Sequence, residues 1–386
     1  MHKKREEIAR AKRVVVKIGS RVLVQKTGRP DARRIRAIVK GLASLHRRGC
    51  DVAFVTSGAI GAGMEALHLK ERPKTLPELQ MCAAVGQTRL MGRYEALFAA
   101  EGIKIGQILL TRDDLKNRTR HLNARNTMMS LFRHRIIPVV NENDVVAVDE
   151  IKLGDNDVLA SLAAILVDAD ALVLLTTADG LRAPAGGGKT RRVSLLEELS
   201  ADTMSFVSGK GSSLSTGGMA TKLEAAANAA RVGIPSIIAD GRKPHTLAGI
   251  FEGRDVGTLM AAAGRGTSAY LSRRKRWIAF FHRTEGTLVV DTGAGIALTE
   301  KGRSLLPIGV KEVEGSFPAG VVLNIRTAGG ELIARGLTEY ASEEIQKIKG
   351  HKTSEIKTIL GSRDYDEIIH RDNMVLLKAP KQGETA

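Results

Sequence analysis

Val14-Val15-Val16-Lys17-Ile18-Gly19-Ser20 is a β-branched run that closes on a lysine and a glycine. It reads as a buried strand opening into a glycine loop, since β-branched side chains suit a pleated surface and glycine frees the backbone after it. The same texture repeats through the first 260 residues. Strand patterns at 51–56, 103–110, 136–140, 171–175 and 235–239 alternate with helical periods at 30–48, 79–100, 122–134, 158–167 and 220–231. Pro30-Asp31 is a helix-start signal for the first of these helices. The alternation predicts an α/β chain, a three-layer αβα sandwich around a mostly parallel central sheet. Ligands of such sheets sit beyond the carboxyl ends of the strands, so the polar clusters that follow the strands should converge on one edge.

Four loops carry chemistry. They are Lys17-Ile18-Gly19-Ser20, Ser57-Gly58-Ala59, the pair Asn141-Glu142-Asn143-Asp144 and Gly154-Asp155-Asn156-Asp157, and Ser215-Thr216-Gly217-Gly218-Met219-Ala220-Thr221-Lys222. The last opens an alanine-rich helix. A helix N-terminus offers unpaired N–H groups and a positive dipole end, which suits phosphate. Neither lysine loop has the G-x-x-x-x-G-K-[ST] spacing of a Walker loop. Phosphoryl transfer asks for positioning, positive charge on the equatorial oxygens and Mg²⁺ on oxygen ligands. Lys17 and Lys222 can supply the charge. Asp155 and Asp157 can orient the lysines or reach a metal, directly or through water. Gly19, Gly58, Gly217 and Gly218 allow backbone N–H groups to approach phosphates. Ser57, Asp144 and Asn156 suit an amino-acid substrate with an ammonium and a carboxylate. No Ser–His–acid set is evident, and the nine histidines show no metal-ligand spacing, which argues against a metallohydrolase.

The composition fits this reading. The chain has 386 residues, enough for about two domains. Aromatics make up 3%, so the cores must be aliphatic. Cys50 and Cys82 form no framework of disulfides or C-x-x-C pairs, as expected of a cytoplasmic protein. The charged N-terminus is read as running straight into the first strand, with no apolar leader and no membrane span. The net charge is +17, and residues 276–386 carry 15 basic and 15 acidic side chains. The excess therefore lies in residues 1–275, the part with the phosphate-type loops, where it would steer anionic substrates.

Between 257 and 276 the pattern lapses, and Arg273-Arg274-Lys275-Arg276 reads as a solvated linker. After it the texture turns to short strands, at 277–281, 287–291, 321–326 and 331–336, followed by short helices at 343–350 and 354–360. The expected division is a catalytic domain 1–260, a linker 261–275, a small mixed β domain 276–360 and a tail 361–386.

Taken together, these motifs resemble the amino acid kinase family, and within it the γ-glutamyl (glutamate 5-) kinases. The likeness rests on Val15-Val16-Lys17-Ile18-Gly19-Ser20, Val55-Thr56-Ser57-Gly58-Ala59-Ile60, Ala83-Ala84-Val85-Gly86-Gln87 and Leu122-Asn123-Ala124-Arg125. It continues through Asn141-Glu142-Asn143-Asp144, Gly154-Asp155-Asn156-Asp157 and Thr216-Gly217-Gly218-Met219-Ala220-Thr221-Lys222. The C-terminal part resembles a PUA domain through Arg274-Lys275-Arg276-Trp277-Ile278, 302–309 and Ile333-Ala334-Arg335-Gly336-Leu337.

The resemblance implies the amino acid kinase fold and transfer of a phosphoryl group from MgATP to the γ-carboxylate of L-glutamate. It implies catalytic roles for Lys17, Lys222, Asp155 and Asp157, the two lysines stabilising the transferring phosphoryl group and Asp157 organising them, and substrate contacts from Ser57, Gly58, Ala59, Asn141, Asp144 and Asn156. Nucleotide contacts fall to Lys17, Gly19, Ser20, Thr176, Thr177, Thr216, Gly217, Gly218, Met219, Ala220, Thr221 and Lys222, with no resident metal ligand in the chain. It further implies a cytoplasmic homo-oligomer (dimer or tetramer), feedback inhibition by proline and delivery of product to glutamyl phosphate reductase. Departures are Arg21 in place of a Ser or Thr, Thr177 in place of an Asp, and Arg182 with a glycine-rich run where many members have Gly-Leu-Tyr. Two other readings are a sibling kinase acting on acetylglutamate, aspartate or carbamate, and an RNA-binding protein acting through the PUA-like part. The zero net charge there and a lone tryptophan, Trp277, argue against RNA.

Overall fold

Strand β1 (Arg13–Ile18) lies at the centre of the larger sheet, as its apolar run, broken only by Lys17, requires: every residue from Val14 to Ile18 is buried. A strand covered on both faces loses the alternation of a half-exposed one. In the computed structural model the described residues are 2–23, 31–146, 156–206, 218–262, 275, 278, 284–361 and 365–377. They form two compact units, residues 1–265 and 266–386.

In the first unit β1 pairs in parallel with β2 (Asp51–Val55) on one side and β5 (Ala171–Thr176) on the other. β3 (Ile105–Leu110) and β4 (Ile137–Glu142) extend the sheet beyond β2. A small hairpin, β6 (Arg182–Pro184) and β7 (Thr190–Arg192), stands apart, and β8 (Leu195–Leu196), β9 (Ser236–Asp240) and β10 (Thr258–Met260) complete the far side. The order is β3-β4-β2-β1-β5-β9-β10-β8, and every pairing is parallel except β9 with β10. The chain builds outward from β1 toward β2, then returns to build from β5. That reversal opens a crevice at the carboxyl ends of β1, β2 and β5.

Period-2 alternation sends Val14, Val16 and Ile18 to one face. There they pack with Phe54, Val173 and Leu175 against the helices Ala32–Arg47, Leu76–Ala99 and Thr246–Phe251. The opposite face, with Val15 and Lys17, receives the helices Asp157–Leu166 and Met219–Ala230, which also pack on each other. Two helical layers and one sheet make the sandwich. Its aromatic content is concentrated at Phe54, Tyr94 and Phe98, where the Phe54 and Tyr94 rings meet edge-on at 4.9 Å.

Several elements differ from expectation. The N-terminus forms a helix, His2–Ala9, before β1. Arg5 on that helix is 2% exposed and donates to the carbonyls of Val256 at 2.8 Å and Ser194 at 2.9 Å, with an ion pair to Asp255 at 2.7 Å. A burial this complete satisfies a cation only by converging acceptors on it. The segment read as lapsing into a linker from 257 contains β10, which pairs antiparallel with β9 and parallel with β8. Among the described residues no helix is long and apolar enough to cross a membrane.

In the second unit β11 (Gly286–Val290), β12 (Val310–Glu314), β13 (Val322–Thr327), β14 (Leu332–Leu337) and β15 (Met374–Leu376) form a mixed sheet in the order β12-β11-β13-β14-β15. Leu288, Val290, Ile325, Ile345, Ile348 and Ile369 fill its own core. β15 corrects the expected tail: its pairing with β14 makes residues beyond 361 part of the sheet. Helices form at Thr292–Thr299, Ser342–Ile348 and Ile356–Leu360. The strand expected at 277–281 lies outside the described residues, apart from Ile278.

Candidate active site

The next-to-last residue of β1 is Lys17, and strand alternation points it to the face shared with Val15. Its ammonium reaches the carboxylate of Asp157, with Nζ to Oδ1 at 2.6 Å. Asp157 is the first residue of the helix Asp157–Leu166. The second oxygen of the same carboxylate accepts from Lys222, Oδ2 to Nζ at 2.8 Å. Lys222 is the fourth residue of the helix Met219–Ala230, so its side chain rises from the first turn. Lys17, Asp157 and Lys222 are 1%, 0% and 5% exposed. One carboxylate thus holds two ammonium groups in fixed positions at the carboxyl edge of the sheet. Charges buried this deeply are tolerated only when paired and hydrogen-bonded.

A chain of carboxamides runs from the same place. Asn156, the N-cap of the Asp157 helix, donates from Nδ2 to the Thr56 carbonyl at 2.6 Å and to Asn141 Oδ1 at 2.8 Å. Asn141, near the end of β4, donates from Nδ2 to Gln87 Oε1 at 2.7 Å. Below it the Thr56 hydroxyl meets the Tyr94 hydroxyl at 2.7 Å. Burial drives the Tyr94 hydroxyl well above the ordinary phenol range, against the opposing hydrogen bond from Thr56, so it stays protonated. Sequence reading passed over Gln87, Thr56 and Tyr94 as site residues. Their only signal was the placing of Thr56 and Gln87 inside segments that carried the family resemblance.

The remaining expected residues distribute along the same edge. Ser57 is half-buried and its hydroxyl donates to the Ile18 carbonyl at 3.3 Å, joining the ends of β1 and β2. Gly58 has φ +103°, a left-handed conformation that glycine adopts without strain, and caps the helix Ala59–Ala66. Ala59 is buried. Gly19 donates its N–H to the Leu175 carbonyl at 3.0 Å, and Ser20 starts the short helix Ser20–Leu23. Thr176 ends β5, with Thr177 half-buried after it, and the Thr176 carbonyl accepts from Gly241 at 2.9 Å. Gly218 is the N-cap of the Lys222 helix, followed by Met219 and Ala220, all half-buried. The Thr221 hydroxyl donates to the Gly218 carbonyl at 2.8 Å. Asp144 is half-buried in the turn after β4. Asp155, Thr216 and Gly217 lie outside the described residues.

At the neighbouring strand end, burial pushes the Asp240 carboxyl up, yet the Arg242 guanidinium and backbone N–H hold it below the usual carboxylate range. Among the described residues no group of three His, Cys, Asp or Glu side chains is placed to hold a metal ion.

The amino acid kinase family model matches residues 12–240, and the PUA domain model matches residues 286–360. The chain belongs to the amino acid kinase family. The glutamate 5-kinase of Citrifermentans bemidjiense is 46% identical over 377 residues, covering 97% of this chain and 100% of that one. That of Geobacter sp. (strain M21) matches to the same extent, and that of Moorella thermoacetica is 44% identical over 372 residues, 96% of this chain and 97% of its own. Within the class, this chain falls among the glutamate 5-kinases.

Proposed function

We propose that the protein transfers the γ-phosphoryl group of ATP to the γ-carboxylate of L-glutamate, giving γ-glutamyl phosphate and ADP, the reaction that opens proline biosynthesis. A carboxylate oxygen forms the new bond to phosphorus, and the bond to the β-phosphate oxygen breaks. The supporting observation is the buried Lys17–Asp157–Lys222 set: two ammonium groups held in place by one carboxylate. Charge fixed in advance where the transition state develops negative charge acts in a dry site at full strength. Lys17 and Lys222 take the equatorial oxygens, and Asp157 orients the lysines without touching the substrate. The first turn of the Lys222 helix, from Gly218 to Thr221, faces the phosphates. Thr176 and Thr177 contact the nucleotide from the end of β5. Ser57, Asn141, Asp144 and Asn156 hold glutamate.

Both Asp157 oxygens are engaged by lysines, and the described residues offer no metal cage. That donor set fits a magnesium ion carried in as MgATP, with the phosphates as its principal ligands, as is usual for this ion. When bound it would neutralise phosphate charge, beside the ammonium groups of Lys17 and Lys222. A homo-oligomer, inhibition by proline and transfer of the labile acyl phosphate to a glutamyl phosphate reductase complete the proposal.

The test is ADP release with MgATP and L-glutamate, with hydroxylamine present to trap the acyl phosphate as a hydroxamate. Acetylglutamate and aspartate serve as rival acceptors. Lys222→Ala should lower kcat by about 10²- to 10³-fold, the scale of losing one preorganised electrostatic donor. Equal turnover of a rival acceptor, or an unaffected variant, would reject the assignment.

A further inference from the structure

The carboxamide chain has a direction, and a backbone group sets it. The Thr56 carbonyl can only accept, so Asn156 must present its NH2 group to it. The second hydrogen of that group reaches Asn141, which must therefore turn its oxygen toward Asn156 and its NH2 toward Gln87. Gln87 must then turn Oε1 toward Asn141. Its own NH2 is left as the terminal donor. Amide orientation is ordinarily an assignment, but here each step follows from the one before. The terminal Nε2 is buried and has no hydrogen-bond partner among the described residues.

Gln87 is also held in place by its neighbour. A Cβ on Gly86 would lie 1.8 Å from the Ala59 carbonyl oxygen, so the helices Leu76–Ala99 and Ala59–Ala66 meet backbone to backbone at that point. The next residue in the chain therefore has little freedom to withdraw. A buried donor left unpaired is costly, which favours a ligand acceptor at that point.

We propose that Gln87 is a specificity-determining residue, whose Nε2 donates to the α-carboxylate of the amino-acid substrate. This rests on the kinase reading above. The two ends of the relay give the assignment. One end, Asn156, is covalently next to Asp157 and so adjoins the lysines that take the phosphoryl group. Gln87 is the other end, and it faces the carboxylate that is not phosphorylated. A donor there accepts a carboxylate and disfavours a cationic or donor-only group.

One variant separates this role from simple support of Asn141, and a second tests the side chain as a whole. Gln87→Glu keeps an oxygen to accept from Asn141 and replaces the terminal donor with an anion. Gln87→Met removes both functions. Initial rates are measured by the hydroxamate assay with L-glutamate and with its α-carboxamide, in which the γ-carboxyl group is intact. For Gln87→Glu the KM for L-glutamate should rise about 10- to 100-fold, with KM for ATP within about twofold of wild type. The ratio of kcat/KM should also shift toward the α-carboxamide by about tenfold, because its N–H can donate to the new carboxylate. An unchanged KM for glutamate in Gln87→Glu would overturn the proposal and leave Gln87 as a support for Asn141. Should Gln87→Glu fail to fold, Gln87→Met carries the test: the rise in thermal midpoint on adding L-glutamate should vanish while the rise with MgATP remains. Retention of the glutamate shift would overturn the proposal. Wild-type protein that makes no hydroxamate would reject the kinase reading and this inference with it, an outcome distinct from active wild type with indifferent variants.

Discussion

Asp157 shows most directly how one residue can tie function to stability. Both its oxygens serve lysines, and all three groups are buried. Substituting Asp157→Asn keeps the shape and removes the charge, leaving two cations without their shared anion. Breaking a buried ionic set by removing one partner typically costs about 3–5 kcal/mol. Urea denaturation of Asp157→Asn should therefore show a loss of that order, together with a deep loss of hydroxamate formation. A variant as stable as wild type would mean that solvent or a rearranged neighbour already compensates the lysines. Lys17, Asp157 and Lys222 were legible in the sequence because Lys17 ends an apolar run just ahead of Gly19, Asp157 follows Asn156, and Lys222 opens an alanine-rich run after Gly217-Gly218. Their convergence on one carboxylate was legible only through the family resemblance, since the residues by themselves left two roles open for Asp157, orienting lysines or reaching a metal, which differ only in three-dimensional placement. Gln87 was illegible for another reason: it sits mid-helix, where a glutamine is an ordinary helix former, and only the fixed carbonyl of Thr56 gives its amide a direction.

Among the elements, the long periodic ones were readable and the short ones were not. The central strands and the helices Ala32–Arg47, Leu76–Ala99 and Met219–Ala230 fall within a few residues of their expected limits. β10 has three residues and β15 has three, too few for any period to register. The helix His2–Ala9 has a mostly polar sequence and gains its place from two buried side chains, Arg5 and Ile8. Asp255 is the anchor of that arrangement. It pairs with Arg5 at 2.7 Å and Arg192 at 2.8 Å and accepts from Ser194. Hydrogen bonding from Arg192 holds its carboxyl below the usual range, against the upward push of burial, with Ser194 and Arg5 assisting. A carboxyl depressed in the folded state adds stability that is present above its unfolded pKa, near 3.9, and disappears as pH falls through the folded value. Asp255→Asn should thus cost stability at pH 7, and the gap from wild type should close as pH is lowered into and below the carboxylate range. Since 43% of the side chain is exposed, screening limits the loss to about 1 kcal/mol. A gap that stays constant with pH would assign the effect to packing instead.

At the scale of the whole molecule, each of the two units has its own hydrophobic core. Units with separate cores unfold as separate cooperative events when little apolar surface is shared. Calorimetry should resolve two transitions, and Ile325→Ala, a truncation of a side chain with no exposure in β13, should lower one of them by the equivalent of about 2–5 kcal/mol while leaving the other in place. A single transition displaced as a whole would show that the two cores melt as one. The mostly parallel sheet was legible because alternating strand and helix periods admit few other architectures. The order β3-β4-β2-β1-β5-β9-β10-β8 was not, because periodicity says which segments are strands and nothing about which ones are neighbours.

The Lys17–Asp157–Lys222 contact also has a history in time. Asp157 is 140 positions beyond Lys17, and Lys222 a further 65 beyond Asp157. A ribosome adding about 5–20 residues per second leaves roughly 3–13 s between the emergence of the carboxylate and that of its second cation. During that interval the growing chain holds two of the three groups, so any product that stops short of Lys222 lacks the second ammonium and all but the first residues of the helix that carries it. Every premature stop before that codon therefore yields a chain in which the phosphoryl-binding set cannot form.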